Sequence, residues 1–342
     1  MPSIAERLAP WFAARARDLP FRRGRTPYRV WVSEVMLQQT RVATVVEYFP
    51  RFVERFPDVG ALARAPLGDV LAAWSGLGYY RRARALHGGA RFVVEQLGGE
   101  LPSTPEELVR IPGVGPYTAG AIASVAFGVP APLVDGNVAR VLSRLFALDV
   151  DPTRGPGKRQ IWERAASLVP ARAPGAFNEA LMELGATVCT PTSPRCALCP
   201  LAEPCEGRRR GDAEDLPRVP KKRPPARVFA GAVVVRQRGM VLLGRRRADS
   251  LFGGLWEPPT VEASDAETAR RLARALVTRP RGEFEVTHAL THRTMFVSVT
   301  AGGPRASARY PDVYEEVRFV AEAELDGYGV SALAKKVLRG PP

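Results

Sequence analysis

All four cysteines of this 342-residue chain fall in one short segment, Cys189-x6-Cys196-x2-Cys199-x5-Cys205. Thiols scattered along a chain can staple it with disulfides. Thiols crowded into one loop cannot, and they predict a metal site in a reducing compartment. Four thiolates suffice for tetrahedral zinc or for the four irons of a cubane cluster, and spacing alone does not choose between them. Zinc ribbons usually set two Cys-x2-Cys knuckles far apart, a pattern from which the unequal spacing here departs.

The charge narrows the partner. Lys and Arg number 49 against 35 Asp and Glu, for a formal net charge of +14 and a pI near 10.3. Basic groups gain counterion-release entropy on phosphate, so nucleic acid is the expected partner, with arginine-rich genomic bias as the bland alternative. A chain of this length, 46% hydrophobic and 25% charged, is long enough for two soluble domains with their own cores, and disordered or fibrous classes are excluded. Met1-Pro2-Ser3-Ile4-Ala5-Glu6-Arg7 lacks a charged-then-apolar leader and no apolar run reaches membrane length. A cytoplasmic monomer with no membrane partner is therefore expected.

From Ile4 to about Leu184 apolar residues recur at helical spacing between Pro and Gly breaks, which predicts a mainly α-helical domain. Composition then turns basic, through Arg208-Arg209-Arg210 to Lys221-Lys222-Arg223-Pro224-Pro225, and reads as a semi-stiff linker over 207–226. Beyond it, Val228 to Val235 and Met240 to Leu243 form a hairpin around Arg236-Gln237-Arg238-Gly239. Ser264 to Glu267 predicts a capping box and a helix through Leu276. Glu283 to Thr287 and Thr294 to Thr300 alternate as strands, and Ser331 to Leu338 closes with a helix. The domain boundaries are thus 1–206, 207–226 and 227–342, the last of α+β class.

Three local patterns carry chemistry. Thr26-Pro27 opens a helix through Gln38 on which Glu34 falls in the stripe of Val30, Trp31, Val35 and Leu37. Desolvation there raises a carboxyl pKa toward neutrality and suits a general acid; the alternative is a structural pair with a buried arginine. Thr104-Pro105-Glu106-Glu107 starts a short helix, and Ile111-Pro112-Gly113-Val114-Gly115 leads into another near Pro116. The two glycines let backbone amides approach a phosphate, although an ordinary helix connection would show the same glycines. Asp135 precedes a helical stretch through Phe146 and either caps it or faces a substrate.

These patterns resemble one family. The cysteine spacing, the hairpin, and the runs Trp31-Val32-Ser33-Glu34-Val35-Met36-Leu37-Gln38-Gln39-Thr40 and Val134-Asp135-Gly136-Asn137 are similar to those of the endonuclease III and MutY glycosylases. The resemblance implies an α-helical helix-hairpin-helix glycosylase domain with a [4Fe-4S] cluster on Cys189, Cys196, Cys199 and Cys205, then an α+β Nudix-like domain. It assigns Glu34 to protonating the leaving adenine and Asp135 to stabilising the oxocarbenium-like sugar. Tyr117 stands where endonuclease III-like enzymes hold a Schiff-base lysine, which implies a monofunctional glycosylase with Tyr117 and Asn137 assisting near the sugar.

The same resemblance gives double-stranded DNA with adenine opposite 8-oxoguanine or guanine as substrate, contacted by Gly113, Gly115 and Arg195. Gln39 and Tyr79, the latter in Ser75-Gly76-Leu77-Gly78-Tyr79-Tyr80, fill the gap left by base extrusion. Phe21 and Arg22 line the adenine pocket, Phe21 replacing the tryptophan common in relatives. Leu251-Phe252-Gly253-Gly254-Leu255-Trp256 and Leu290-Thr291-His292 resemble the Nudix-like module, where Leu290, Thr291 and His292 would read 8-oxoguanine. Relatives often have Phe at 290, and His292 is otherwise a buried structural residue. Three competitors remain: an endonuclease III-like lyase, a nucleotide pyrophosphate hydrolase lacking its Glu-rich Mg²⁺ helix, and a non-catalytic DNA-binding protein.

Overall fold

Pro27 in the first turn, with the Thr26 hydroxyl accepting from the Arg29 N–H at 3.2 Å, starts the helix Pro27–Leu37. In the computed structural model, which describes residues 2–220 and 224–340, this helix is buried nearly all round. Tyr28 and every residue from Val30 to Met36 are buried, so the expected apolar stripe is in fact a whole central helix. The described residues divide into two units, Met1–Arg64 with Ala85–Lys221, and Ala65–Arg84 with Lys222–Pro342.

The first unit is helical. One of its cores gathers Val138, Leu142 and Leu145 from the helix Gly136–Leu145 with Phe177, Leu181 and Leu184 from the helix Pro174–Thr187. Two short helices, Pro105–Leu108 and Pro116–Ala121, flank the glycine hairpin. Thr104 caps the first, accepting from the Glu107 N–H at 3.4 Å and donating to its carboxylate at 2.7 Å. The chain beyond Ala121 widens into a π-turn, Ile122–Ala126.

The expected linker begins too early. Glu206–Arg210 is a helix and Ala213–Asp215 a further turn, because Gly207 lets the backbone seat against the Arg144 carbonyl and Ala213 and Leu216 are buried. Its basic centre, Lys221 to Arg223, lies outside the described residues. The second difference is that Ala65–Arg84 packs with the C-terminal unit, although the sequence pattern placed it in the helical domain.

The second unit is built on a seven-stranded sheet: β1 (Ala226–Gln237), β2 (Met240–Arg246), β3 (Trp256–Glu257), β4 (Thr260–Ala263), β5 (Val277–Ala289), β6 (Arg293–Pro304) and β7 (Tyr314–Ala321). The order is β3-β2-β1-β6-β5, with β4 on β1 and β7 on β2, and β1 runs parallel to β6. The β1–β2 turn is Arg238-Gly239, both at positive φ, as a two-residue hairpin requires. Alternation along β1 sends Ala230, Ala232 and Val234 into a core with Leu333 and Val337 of the helix Ala332–Arg339. Val233 and Val235 face a second core with Ala273 and Leu276. The helix Ala266–Ala275 is capped by Asp265, whose carboxylate accepts from the Thr268 N–H at 2.8 Å, one residue later than the expected Ser264. The carboxylate is the stronger acceptor, and Ser264 donates to it at 2.6 Å.

Two glycines separate close packing from open surface. A Cβ on Gly120 would lie 2.0 Å from the Pro132 carbonyl oxygen, whereas one on exposed Gly68, in the helix Leu67–Ala73, meets nothing within 4 Å. Gly120→Ala is expected to cost about 2 kcal/mol or more, and Gly68→Ala to add about 0.5 kcal/mol, both read by chemical denaturation.

Candidate active site and thiol centre

A cavity of about 790 Å³ in the helical unit brings together Phe21, Arg22, Glu34, Gln39, Tyr117, Asp135 and Asn137. Glu34 reaches it from the central helix with 7% of its surface exposed. The Tyr117 hydroxyl donates to Glu34 Oε2 at 2.5 Å and also approaches Met182 Sδ at 3.5 Å. Burial pushes the Glu34 pKa up to about 7, the nearby carboxylates Glu179 and Asp135 add to the shift, and the Tyr117 hydrogen bond and Arg22 oppose it. A carboxyl in this setting holds a proton near neutral pH.

The arginines around Glu34 are drawn to other carboxylates. Arg17 binds Glu183 at 2.6 Å, Arg22 binds Glu183 at 2.9 Å and Glu179 at 3.4 Å, and Arg25 binds Glu179 at 2.9 Å. Glu179 and Glu183 come from the helix Pro174–Thr187, both line the cavity and both are buried. Sequence inspection passed over this pair. Its signal is two carboxylates four residues apart on an otherwise apolar helix, which must meet cations if buried. Phe21 packs edge-on against Phe49 with ring centroids 6.0 Å apart, and Arg22 beside it lines the cavity with Arg17 and Arg25.

Asp135 both caps a helix and lines the cavity. One carboxylate oxygen accepts from the Val138 N–H at 2.7 Å and the other from Asn137 Nδ2 at 2.9 Å. Burial raises its pKa, while these two donors pull it down. From Asn137 the polar contacts continue outward: Arg140 donates to Asn137 Oδ1 at 3.0 Å, to the Gly185 carbonyl at 2.7 Å and to the Cys189 carbonyl at 2.8 Å.

The four cysteines are free and line one small cavity with Arg144. Arg144, only 2% exposed, donates to the carbonyls of Thr190 at 2.6 Å, Pro191 at 2.9 Å and Leu216 at 2.9 Å, and to Cys189 Sγ at 3.4 Å. A buried guanidinium served by neutral carbonyls and a thiol fits a site whose occupant is anionic. Backbone N–H groups of Arg208 and Gly207 also point at Cys205, and that of Leu201 at Cys199. Exposed Arg195 stands in the loop between the first two cysteines.

Gly113, at φ +83°, and Gly115 border a groove that also reaches Tyr117 and Asp135. A Cβ on Gly113 would collide with Ala85 at 2.6 Å, so the hairpin tolerates no side chain there; Gly115 faces open space. Gln39, at φ +57°, lies one residue beyond the C-cap Gln38 of the central helix and lines the same cavity as Glu34.

In the second unit, Tyr79 is 45% exposed at φ +49° and its hydroxyl meets Thr291 Oγ1. Leu290, Thr291 and His292 form the tip of the β5–β6 hairpin, closed by the Leu290 N–H on the Arg293 carbonyl at 2.7 Å. They share a second cavity with Tyr79 and Phe252. His292 is exposed, which rules out the buried structural alternative, and Leu290 packs partly against the sheet core. The helix Ala266–Ala275 carries Arg270 and Arg274, paired with Glu285 and Glu283, in place of a carboxylate cluster.

Among the described residues no helix is long and apolar enough to cross a membrane. Residues 32–167 match the family of the helix-hairpin-helix superfamily of base excision DNA repair proteins, and residues 230–340 match the NUDIX domain. The adenine DNA glycosylase of Homo sapiens is 37% identical over 97% of this chain and 72% of its own length. A thermostable thymine-DNA glycosylase structure, 28% identical, superposes with a TM-score of 0.55 over 60% of this chain and 95% of its own. A non-covalent endonuclease III–DNA complex, 25% identical, does so with a TM-score of 0.52 over 60% and 94%. With the buried acid, the glycine hairpin, the thiol centre and the second domain all in place, the chain belongs to the adenine DNA glycosylase family of helix-hairpin-helix base excision repair enzymes.

Proposed function

We propose that this glycosylase hydrolyses the N-glycosidic bond of adenine mispaired with 8-oxoguanine or guanine in duplex DNA, and stops there without cutting the strand. The observation that carries this reading is the buried Glu34 carboxyl, hydrogen-bonded by Tyr117 in a cavity that Asp135 also lines. Adenine leaves as an anion unless a ring nitrogen is protonated, so a proton donor with a pKa near 7 supplies the driving force. As the bond lengthens, positive charge grows on the sugar, and Asp135, fixed by Val138 and Asn137, is the anionic group that stabilises it. Water is the final nucleophile. Tyr117 offers a phenol where a lyase needs an amine, and burial holds that phenol protonated.

Phe21 and Arg22 form the wall that receives the adenine, with Arg22 held by Glu179 and Glu183. Gly113 and Gly115 present backbone amides to phosphate, Arg195 meets the backbone from the cysteine loop, and Gln39 and Tyr79 enter the space left by the extruded base. Thr291 and His292, with Leu290 behind them, read the opposite base from the second unit's cavity. Cys189, Cys196, Cys199 and Cys205 would hold a [4Fe-4S] cluster, which when bound supplies structure to the DNA-contacting loop and takes no part in bond cleavage. The unequal spacing favours that cluster over zinc, and the buried Arg144 suits the negative charge that four thiolates bring. A nucleotide hydrolase reading finds no support in the arginine-bearing helix Ala266–Ala275.

Glu34→Gln is expected to retain binding to an adenine:8-oxoguanine duplex and to lose adenine release by at least about a hundredfold. Near-normal single-turnover excision would remove Glu34 as the acid. In the wild type, excision should fall as pH rises through about 7, because the proton is then lost. The same raised pKa makes folding stability decline as pH climbs from the unfolded value of 4.5 through about 7. Glu34→Gln should therefore flatten that decline in melting experiments at pH 5 and pH 8. Product strands should break only after alkali, and borohydride should trap little covalent complex; abundant trapping would contradict the assignment built on Tyr117. Purified protein should be yellow-brown with broad visible absorption, bleached by oxidation or chelation together with DNA affinity, whereas a colourless zinc protein would reject the cluster.

A further inference from the structure

The segment Ala65–Arg84 is tied to the C-terminal unit by side-chain hydroxyls on a single backbone carbonyl. Ser75 Oγ donates to the Val330 carbonyl at 2.8 Å and the Tyr80 hydroxyl donates to the same oxygen at 3.1 Å. Val330 is itself fixed: it bridges in parallel with Trp256, and the Trp256 N–H donates to the neighbouring Gly329 carbonyl at 2.9 Å. Gly329 is closely packed, since a Cβ there would lie 3.0 Å from Leu71 and 3.2 Å from Leu255.

Between these two anchors the backbone turns through positive φ at Gly76 (+115°), Gly78 (+71°) and Tyr79 (+49°), free of cost for the glycines and strained for the tyrosine. The loop is closed by Trp74 Nε1 on the Gly78 carbonyl at 3.1 Å and by Arg82 on the carbonyls of Leu77 at 3.2 Å and Gly78 at 3.1 Å. Tyr80 is turned inward at 6% exposure and Tyr79 outward at 45%. Adjacent tyrosines thus have opposite duties: one is an anchor, the other is left free to touch Thr291.

We propose that Ser75 and Tyr80 are positioning residues, and that their clasp on the Val330 carbonyl holds Tyr79 against the Thr291 hairpin tip so that wedge and opposite-base reader act as one piece. This rests on the reading of the Tyr79–Thr291 cavity as the place that meets the base opposite adenine. Relaxing the clasp lets Tyr79 leave its strained conformation. The enzyme then keeps its chemistry and loses its ability to tell 8-oxoguanine from guanine.

The test measures single-turnover excision of adenine opposite 8-oxoguanine and opposite guanine in Tyr80→Phe, Ser75→Ala and the double variant, with Tyr79→Ala and Thr291→Ala alongside. Each lost hydrogen bond is expected to lower the ratio of the two rates by about fivefold, and hydrogen exchange of the Gly76 to Tyr80 amides should quicken. Tyr80→Phe keeps the ring and Ser75→Ala removes one hydroxyl, so melting temperature and visible spectrum serve as folding controls. An unchanged ratio in the clasp variants, or equal loss on both substrates in step with melting temperature, overturns the proposal. If Tyr79→Ala and Thr291→Ala shift the ratio while the clasp variants do not, the clasp alone fails. If neither of those two shifts it, the opposite-base reading falls and the clasp proposal with it.

Discussion

The structure depends on keeping one carboxyl group dry. Glu34 sits on a helix that is buried on nearly every side, so its charged form has no solvent to relax it. A shift from 4.5 to about 7 corresponds to a penalty on the order of 3 kcal/mol for ionising in place. In the proposed reaction that penalty keeps a proton within reach of the leaving base. An arginine within pairing distance would abolish it, yet the cavity wall carries Arg17, Arg22 and Arg25. The fold resolves the conflict with Glu179 and Glu183, which engage those guanidinium groups and leave Glu34 to Tyr117. Two buried carboxylates are thus present chiefly so that a third stays protonated.

In the proposed reaction Asp135 faces the opposite demand, since it is to be anionic when charge grows on the sugar. Its burial resembles that of Glu34, but its hydrogen bonding does not: a backbone N–H and an amide donate to it, and both favour the charged form. The helix cap and the carboxylate proposed to face the sugar are one and the same group. Through Asn137 and Arg140 that carboxylate is braced on the Gly185 and Cys189 carbonyls, so its placement depends on the order of the thiol loop.

Much of this was legible in the chain. Cysteine spacing, the glycine hairpin and the run around Glu34 are local signals, and each mapped onto a local structure: a loop, a tight turn and a helix. The strands of the second domain were legible for the same reason, because period-2 alternation in Val228 to Val235 reports directly on two faces. What escaped notice is non-local. Nothing in Phe177-Asn178-Glu179-Ala180 announces that Glu179 will meet Arg25, which is distant in sequence. Nothing in Ser75 or Tyr80 announces Val330. The early end assigned to the helical domain failed similarly: Glu206 to Arg210 is basic enough to suggest a linker, and only the approach of Gly207 to the Arg144 carbonyl makes it part of the fold.

Adenine is an undamaged base, and this sets the enzyme apart from glycosylases that recognise a lesion directly. A pocket complementary to adenine alone would excise it from every A:T pair, and tighter binding would worsen the error. Selectivity must therefore come from a contact made away from the reacting bond, with energy that becomes available only when the opposite base is correct. The second unit has the features such a check needs: a rigid sheet, a hairpin tip with an exposed hydroxyl and imidazole, and a tyrosine held at a costly φ. A tyrosine held at a costly φ needs its neighbours to keep it there, so its position reports on the contacts around it. On the proposed assignment Glu34 supplies rate for any adenine that reaches it, and the choice of adenine falls to groups that never touch the glycosidic bond.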